Sequence, residues 1–359
     1  MEIKTYNKKE LEDFVVSDLF RTQYSIPISY HRAISQINNP YCSDDDILLW
    51  AAYKNTILVG YVGVLPDLIC NKGVEEKVFW LSCFWVDDNF REKNLASQLL
   101  YLLLKQYKNQ LYISNFLFSL EKMYQDLGIF QPTQYLHGQL FFRKLDLSNL
   151  LAARFPKIKP LIPVYLLAEK SINLVLDIFG RIGVGKNPTD VKVVESLDFD
   201  DELQDFLTSF QGTDFIRTIK HFDWIVRYPW VLEGFSDNES KKYYFSSKSV
   251  QFEYRSIKLY DADKLVGYVF ARIRDRKLTL GYVHVPDCYI NGVGSYLLAL
   301  TRNEDLLSIT CFDGRLFAFF NIQKGFILKK KERRPFIFPK KSDLDVSIFQ
   351  EGDGDSIFT

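Results

Sequence analysis

Residues 78–130 constrain this chain more than any other stretch, because a buried strand, a polar turn, a helix, a second strand and a second helix follow in close order. Val78-Phe-Trp-Leu-Ser-Cys-Phe-Trp-Val86 is mostly apolar and rich in β-branched and aromatic residues, without a helical period. It reads as a strand covered on both faces. Asp87 to Ala96 is polar, and Ser97 to Tyr107 is helical in composition. A helix N-terminus therefore points back over the end of a buried strand. Its first N–H groups have no intrahelical partner and carry the positive end of the helix dipole, a combination suited to phosphate or pyrophosphate. Leu111 to Asn115 then reads as a strand and Leu117 to Leu127 as a helix.

Val86, Phe90, Arg91 and Ala96 match, in type and spacing, the pattern Val-x-Pro-x-Tyr-Arg-Gly-x-Gly-x-Gly/Ala. Asn94 stands where the first core glycine is expected, and Asn tolerates positive φ better than other non-glycine residues. Tyr124-Gln-Asp-Leu-Gly128-Ile-Phe looks like a closing Tyr-x-x-x-Gly-Phe. On these residues the stretch resembles the GNAT superfamily of acyl-CoA-dependent N-acyltransferases. The resemblance implies an α/β (α+β mixed sheet) fold, mainly antiparallel with one splayed parallel pair. It also implies acetyl-CoA or another acyl-CoA as co-substrate. The pyrophosphate would sit on the N–H groups of Arg91, Glu92, Lys93, Asn94, Leu95 and Ala96, and the thioester along Trp85 and Val86. Tyr124 would protonate the leaving thiolate, and the acceptor would be a small-molecule amine.

The pattern starts again in the second half. Val191–Val194 reads as a strand, Asp200 to Phe210 as a helix, and Val266-Gly-Tyr-Val269 repeats Val59-Gly-Tyr-Val62 within a second hairpin. Gly292 takes the place of Asn94 and Gly325 that of Gly128, with spacings of 33 and 34 residues. Gly267 lies only 25 residues before Gly292, against 34 from Gly60 to Asn94, which reads as one strand and turn lost from the second copy. The expected organisation is two tandem GNAT-like domains, 1–145 and 190–359, joined by a partly helical connector at 146–189. The first is expected to be catalytic: in the second, Tyr289 holds the Arg place and Asn321 the tyrosine place, and Asn has no titratable O–H. The second then completes the acceptor groove as a degenerate copy. Within domain one, Glu2–Tyr6 begins as a strand, Lys8–Phe20 follows as a helix capped by Asn7 and Glu10, and Tyr135–Arg143 closes as the final strand.

Lysines plus arginines equal aspartates plus glutamates at 45 each, so no global field favours nucleic acid, and none is expected as a partner. The five scattered cysteines show no metal-ligand spacing and read as reduced thiols of a cytoplasmic protein. The N-terminal residues lack the apolar run of a signal peptide, and no stretch reads as a transmembrane segment. The connector at 150–180 is apolar with Lys157, Lys159, Lys170 and Arg181 beside it. Packing over the two domains and lying on a membrane surface both need such a face. Glu351-Gly-Asp-Gly-Asp355 lacks the frame and final glutamate of a calcium loop, so no metal is assigned.

No general base stands out among Asp87, Asp88, Glu75, Glu76, His31 and His137. Trp224, Arg227, Tyr228 and Trp230 would suit an amino-sugar acceptor by stacking on its ring. Two other readings compete: a non-catalytic tandem scaffold, for which Asn94 and Asn321 speak, and a FemA/FemX-like aminoacyl transferase, which would need a long helical hairpin and tRNA binding.

Overall fold

A computed structural model describes residues 1–71, 74–146, 162–181, 191–210, 217–342 and 344–359. Its elements begin with β1 (Glu2–Asn7), α1 (Lys8–Val16), α2 (Asp18–Thr22), α3 (Tyr30–Ile37), β2 (Ile47–Lys54), β3 (Ile57–Asn71) and β4 (Val74–Val86). Next come α4 (Leu95–Tyr107), β5 (Leu111–Ser114), α5 (Glu121–Asp126), β6 (Gln134–Phe142), α6 (Ile162–Arg181), β7 (Lys192–Glu195), α7 (Asp201–Phe210) and α8 (Ile219–Arg227). The chain finishes with β8 (Leu232–Glu233), β9 (Lys248–Ser249), β10 (Phe252–Asp261), β11 (Lys264–Arg274), β12 (Lys277–His284), α9 (Ile290–Asn303), β13 (Ser308–Cys311), α10 (Gly314–Ile322) and β14 (Leu328–Ile337).

Local chemistry sets many of these boundaries. Asn7 accepts from the Glu10 N–H at 2.9 Å and the Glu10 carboxylate accepts from the Asn7 N–H at 2.9 Å, closing a capping box on α1. The helix expected over Lys8–Phe20 is broken at Ser17, whose hydroxyl caps α2 through the Phe20 N–H. Three hairpins turn on pairs of left-handed residues: Asn55–Thr56, Ala262–Asp263 and Asp275–Arg276. Such pairs twist the backbone in the sense that flanking strands require.

The fold divides into two compact units that interleave along the sequence. The first comprises 1–136, 197–252 and 334–359; the second comprises 137–196 and 253–333. In the first unit β1 to β5 follow in order, antiparallel except for β4 and β5, and the end of β14 pairs with β5 through Phe336 and Ile337. Side chains alternate across this sheet. Trp50, Ala52, Val59 and Val62 meet α4 and α5, whereas Ala51, Tyr53 and Tyr61 meet α1 and α3.

In the second unit the strand order is β14-β6-β13-β12-β11-β10-β7, with β12 and β13 parallel and a core of α9 and α10 residues against the strands. The strand expected to close the first domain, β6, instead pairs with β13 through Gln139 to Phe142. An alternating pattern specifies which face of a strand is buried but not which sheet edge it joins. The strand read as lost from the second copy is present as β12. The shorter spacing reflects shorter strands: 11 and 8 residues in β11 and β12, against 15 and 13 in β3 and β4.

The C-terminal residues are built into the first unit. Arg217, 1% exposed, donates to Asp67 at 2.7 and 3.0 Å and to Asp353 at 2.7 and 3.2 Å. Asp67 also accepts from the indole of Trp80 at 2.9 Å. Arg334 bridges to Glu351 at 2.8 Å, and Phe358 stacks on Trp230 with centroids 4.4 Å apart. Arg217→Ala would strand two buried carboxylates and should lower unfolding free energy by about 3–5 kcal/mol in a denaturant titration. A loss below about 1 kcal/mol would show that the clamp carries little of the fold's stability.

Candidate active site

The site forms where β4 changes its partners. On one side β4 runs beside β5 in parallel only from Phe79↔Leu111 to Leu81↔Ile113. Ser114 then turns to β14, so Ser82 to Val86 continue beyond the parallel ladder. On the other side the register with β3 shifts between Gly63↔Ser82 and Tyr61↔Trp85, which leaves Cys83 and Phe84 opposite Val62. This is a β-bulge, and Cys83 has a left-handed φ of 52°. The bulge turns Cys83 to the face of α3, while Phe84 joins the face of α4.

The turn after β4 is a 3-10 helix, Asp88–Lys93, started by Asp87 accepting from the Asn89 N–H at 2.9 Å. Asn94 follows with φ 56° and ψ 18°, the left-handed conformation that a glycine at its place in the resembling pattern would supply. Its side chain makes no capping hydrogen bond to α4, and the first intrahelical bond there runs from the Gln98 N–H to Asn94 O at 3.0 Å. The N–H groups of Leu95, Ala96 and Ser97 thus precede the helical ladder. Gly60 lets this helix start close to the sheet: a Cβ there would lie 3.1 Å from Leu95 Cδ2 and 3.3 Å from Trp85 O. Val86 is buried, and Trp85 packs between Tyr61 and Tyr244 at 5.5 and 5.6 Å. The side chains of Arg91, Glu92 and Lys93 lie outside what the structure describes.

Tyr124 on α5 is 1% exposed and sits edge-on to Phe116 in the cluster that contains Leu99 and Leu103. Burial pushes its phenol well up, so it stays protonated.

Across β4 lies a polar cluster that sequence reasoning missed. The Arg32 guanidinium from α3 stacks on Trp230 at 3.8 Å. It donates to Ser82 Oγ at 2.7 Å, to Tyr243 Oη at 3.0 Å and to Cys83 Sγ. Ser82 in turn donates to the Asp355 carboxylate. Burial raises Asp355 above the usual carboxylate range, against the pull of the Ser82 hydrogen bond and of Arg32. Burial likewise raises the Cys83 thiol despite the neighbouring guanidinium, so it is neutral rather than a thiolate. The gap beside Arg32 and Cys83, lined also by Ile28 and Gly63, is too narrow for water. The only sequence signal for Asp355 was its acidic, glycine-spaced neighbourhood, and nothing local ties residue 355 to residue 82.

The other candidates fall elsewhere. His31 is hydrogen-bonded to Trp230 O at 2.6 Å, and burial lowers its pKa, which leaves it neutral. His137, Glu75 and Glu76 are exposed, and Asp87 is a turn cap. Trp224 and Trp230 are buried, with indole N–H groups bonded to Ser35 at 2.7 and 2.9 Å, so they fill the first unit's core rather than offer a stacking face. In the second unit α9 begins at Ile290, which places Gly292 inside the first helical turn, without the left-handed step of Asn94. A Cβ on Gly294 would meet the Phe319 ring at 2.5 Å, so this glycine permits α9 to pack on α10. The Asn321 amide donates to Gln139 at 2.8 Å.

Residues 14–129 match the Acetyltransferase (GNAT) family, a span holding β4, the Asn94 turn, α4, β5 and Tyr124. The chain carries a GNAT-family domain. Acyl transfer is the chemistry of this family. Among solved structures, a conserved Enterococcus faecalis protein described as a probable N-acyltransferase aligns over 94% of this chain and 72% of its own at 11% identity, TM-score 0.52. Saccharomyces cerevisiae N-myristoyltransferase with bound myristoyl-CoA aligns over 100% and 89% at 12% identity, TM-score 0.49. A GCN5-related N-acetyltransferase from Anabaena variabilis aligns over 93% and 72% at 10% identity, TM-score 0.48. At 11% identity the likeness to the Enterococcus faecalis protein is one of fold. No curated protein matches the sequence significantly.

The GNAT turn gives a direct test of its backbone. Asn94→Gly should leave stability within about 0.5 kcal/mol, whereas Asn94→Val, β-branched in a left-handed position, should cost about 1–2 kcal/mol. Equal melting curves for the two variants would mean that the turn does not hold this conformation.

Proposed function

We propose that the protein transfers an acyl group, acetyl in the first instance, from acyl-CoA to a small-molecule amine by direct attack in a ternary complex. The observation that carries this is the conjunction at β4: its parallel ladder ends at Leu81, and a left-handed Asn94 opens α4 just beyond the same strand. The pyrophosphate would rest on the backbone from Arg91 to Ala96, and the thioester along Trp85 and Val86. The amine nitrogen forms the new C–N bond as the C–S bond breaks. Its proton passes to Asp355, and the leaving thiolate takes the proton of Tyr124.

A carboxylate with a raised pKa suits proton abstraction near neutrality better than an ordinary aspartate. Asp355 is half-buried as a residue. The amino-sugar acceptor has lost its proposed stacking platform, so the acceptor class here is an amine without further restriction. The second unit is read as non-catalytic, supported by the helical Gly292 and the engaged Asn321 amide. The alternatives are a scaffold in which neither unit binds acyl-CoA and a FemA/FemX-like aminoacyl transferase.

Calorimetric titration with acetyl-CoA separates enzyme from scaffold, and absence of heat with acetyl-CoA and with longer acyl-CoAs would leave the scaffold. Release of CoA thiol across an amine panel then finds the acceptor. Tyr124→Phe keeps the ring packing and should reduce turnover about 10²–10⁴-fold with little change in melting; a full-rate variant would make Tyr124 a core residue only.

The pH dependence follows from Asp355. Because its folded pKa is raised, kcat/KM should climb with pH through a value above the ordinary aspartate pKa of about 3.9. The same shift means that its contribution to folding is full below the unfolded pKa and lost as pH rises through the folded one. Asp355→Asn should abolish that acid limb and lower the rate about 10²–10⁴-fold. An unchanged limb would assign the proton to another group.

A further inference from the structure

Helix α6 exposes six aliphatic side chains, Val164, Leu166, Leu167, Ile172, Leu174 and Val175, among its described residues. Towards the second unit it presents Glu169, which is buried, and Asn173, which accepts from the Leu145 N–H at 2.9 Å and donates to Leu145 O at 3.0 Å. On the opposite side Val164, Leu167, Leu174 and Val175 are 64%, 69%, 63% and 49% exposed. Their offsets of 3, 10 and 11 residues from Val164 bring them onto one helical face. A soluble helix normally does the reverse, aliphatic side inward and polar side outward. Among the described residues nothing covers this stripe.

Charge indicates what covers it. The chain as a whole is neutral, yet the sequence of residues 151–187 holds Arg154, Lys157, Lys159, Lys170, Arg181 and Lys186 against only Glu169 and Asp177, of which Arg154, Lys157, Lys159 and Lys186 lie outside the described residues. Glu169 lies on the inward face, and Lys170 is exposed. An aliphatic stripe in a locally basic segment is what an anionic bilayer surface recognises: the acyl region receives the aliphatic side chains and the headgroups attract the cations. A second copy of the chain would gain nothing from the excess of positive charge, which repels its own like. Among the described residues no helix is long and apolar enough to cross a membrane, so the contact would be made at the surface.

We propose that the Val164–Leu167–Leu174–Val175 face of α6 lies in the surface of an anionic lipid bilayer and anchors the protein there peripherally. This does not depend on the acyl-transfer reading, since neither Asp355 nor Tyr124 enters it.

Sedimentation of the full chain with vesicles tests the anchor. The protein should pellet with phosphatidylcholine vesicles that contain phosphatidylglycerol, less with phosphatidylcholine alone, and less as ionic strength rises. Replacing Val164, Leu167 and Leu174 together by Ser should cut partitioning about 100-fold. The thermal melt should stay cooperative, because the replaced side chains are exposed. Leu167→Asp serves as a second variant should the triple one fail to fold, and it should weaken binding in the same direction. Wild-type protein left in the supernatant at low ionic strength would overturn the proposal, and so would variants that bind like wild type. A wild-type dimer without lipid that the substitutions dissolve would also overturn it, making the stripe an interface between copies.

Discussion

A guanidinium as deeply buried as that of Arg217 needs carboxylate partners, and its partners come from opposite ends of the chain. Asp67 lies on β3 and Asp353 six residues before Thr359. The clamp therefore fixes the C-terminal segment against the first unit's sheet. Arg334 holds Glu351, Arg217 holds Asp353 and Ser82 holds Asp355, so alternate acidic residues are fastened one after another. Gly354 between them has φ 74°, and a Cβ there would lie 2.7 Å from Ser114 Oγ and 3.2 Å from Trp80 Cδ2. The same acidic, glycine-spaced sequence that superficially suggests a cation loop is thus satisfied by arginines and a serine.

Strand β4 connects this clamp to the proposed chemistry. Its alternation sends Phe79 and Leu81 to the α4 face, and Trp80 and Ser82 towards the clamp. Without the bulge at Cys83, the simple alternation would continue and turn Cys83 away from Arg32. The extra residue keeps Ser82, Cys83 and Trp85 all on the side of α3 while Val86 still packs beneath α4. One strand can in this way present its polar cluster to an acceptor side and its backbone end to the helix N-terminus. Strain at a left-handed Cys83 is tolerable because the surrounding sheet and Arg32 over-determine its position.

Local and short-range features were legible in the sequence. The capping box of Asn7 and Glu10, the β2–β3 hairpin and the strand-turn-helix from Val78 to Tyr107 all depend on residues a few positions apart. Asn94 was legible for a physical reason, since few residues other than glycine accept its φ. What escaped was long-range: which sheet edge receives β6, where the C-terminal segment lies, and that Arg32 and Asp355 meet on Ser82, 50 and 273 residues away. Charge and alternation bring no address with them. The aromatic cluster at Trp224 and Trp230 misled for the opposite reason, because a buried tryptophan with its N–H bonded to Ser35 looks, in sequence, the same as a stacking platform.

The turns before α4 and α9 show how one position of the pattern can serve two different backbones. In the first unit the chain takes one left-handed residue before α4, so the helix starts abruptly and its leading N–H groups point outward from a turn. In the second unit the helix α9 starts earlier, at Ile290, and Gly292 and Gly294 are both buried within it. Gly294 then serves Phe319, which could not approach a residue with a Cβ. Glycine at the pattern's position is therefore neither necessary nor sufficient for a left-handed step before the helix. The left-handed step is made in the unit that lacks the glycine, which is why the proposed role rests on Asn94 and not on the better-preserved motif.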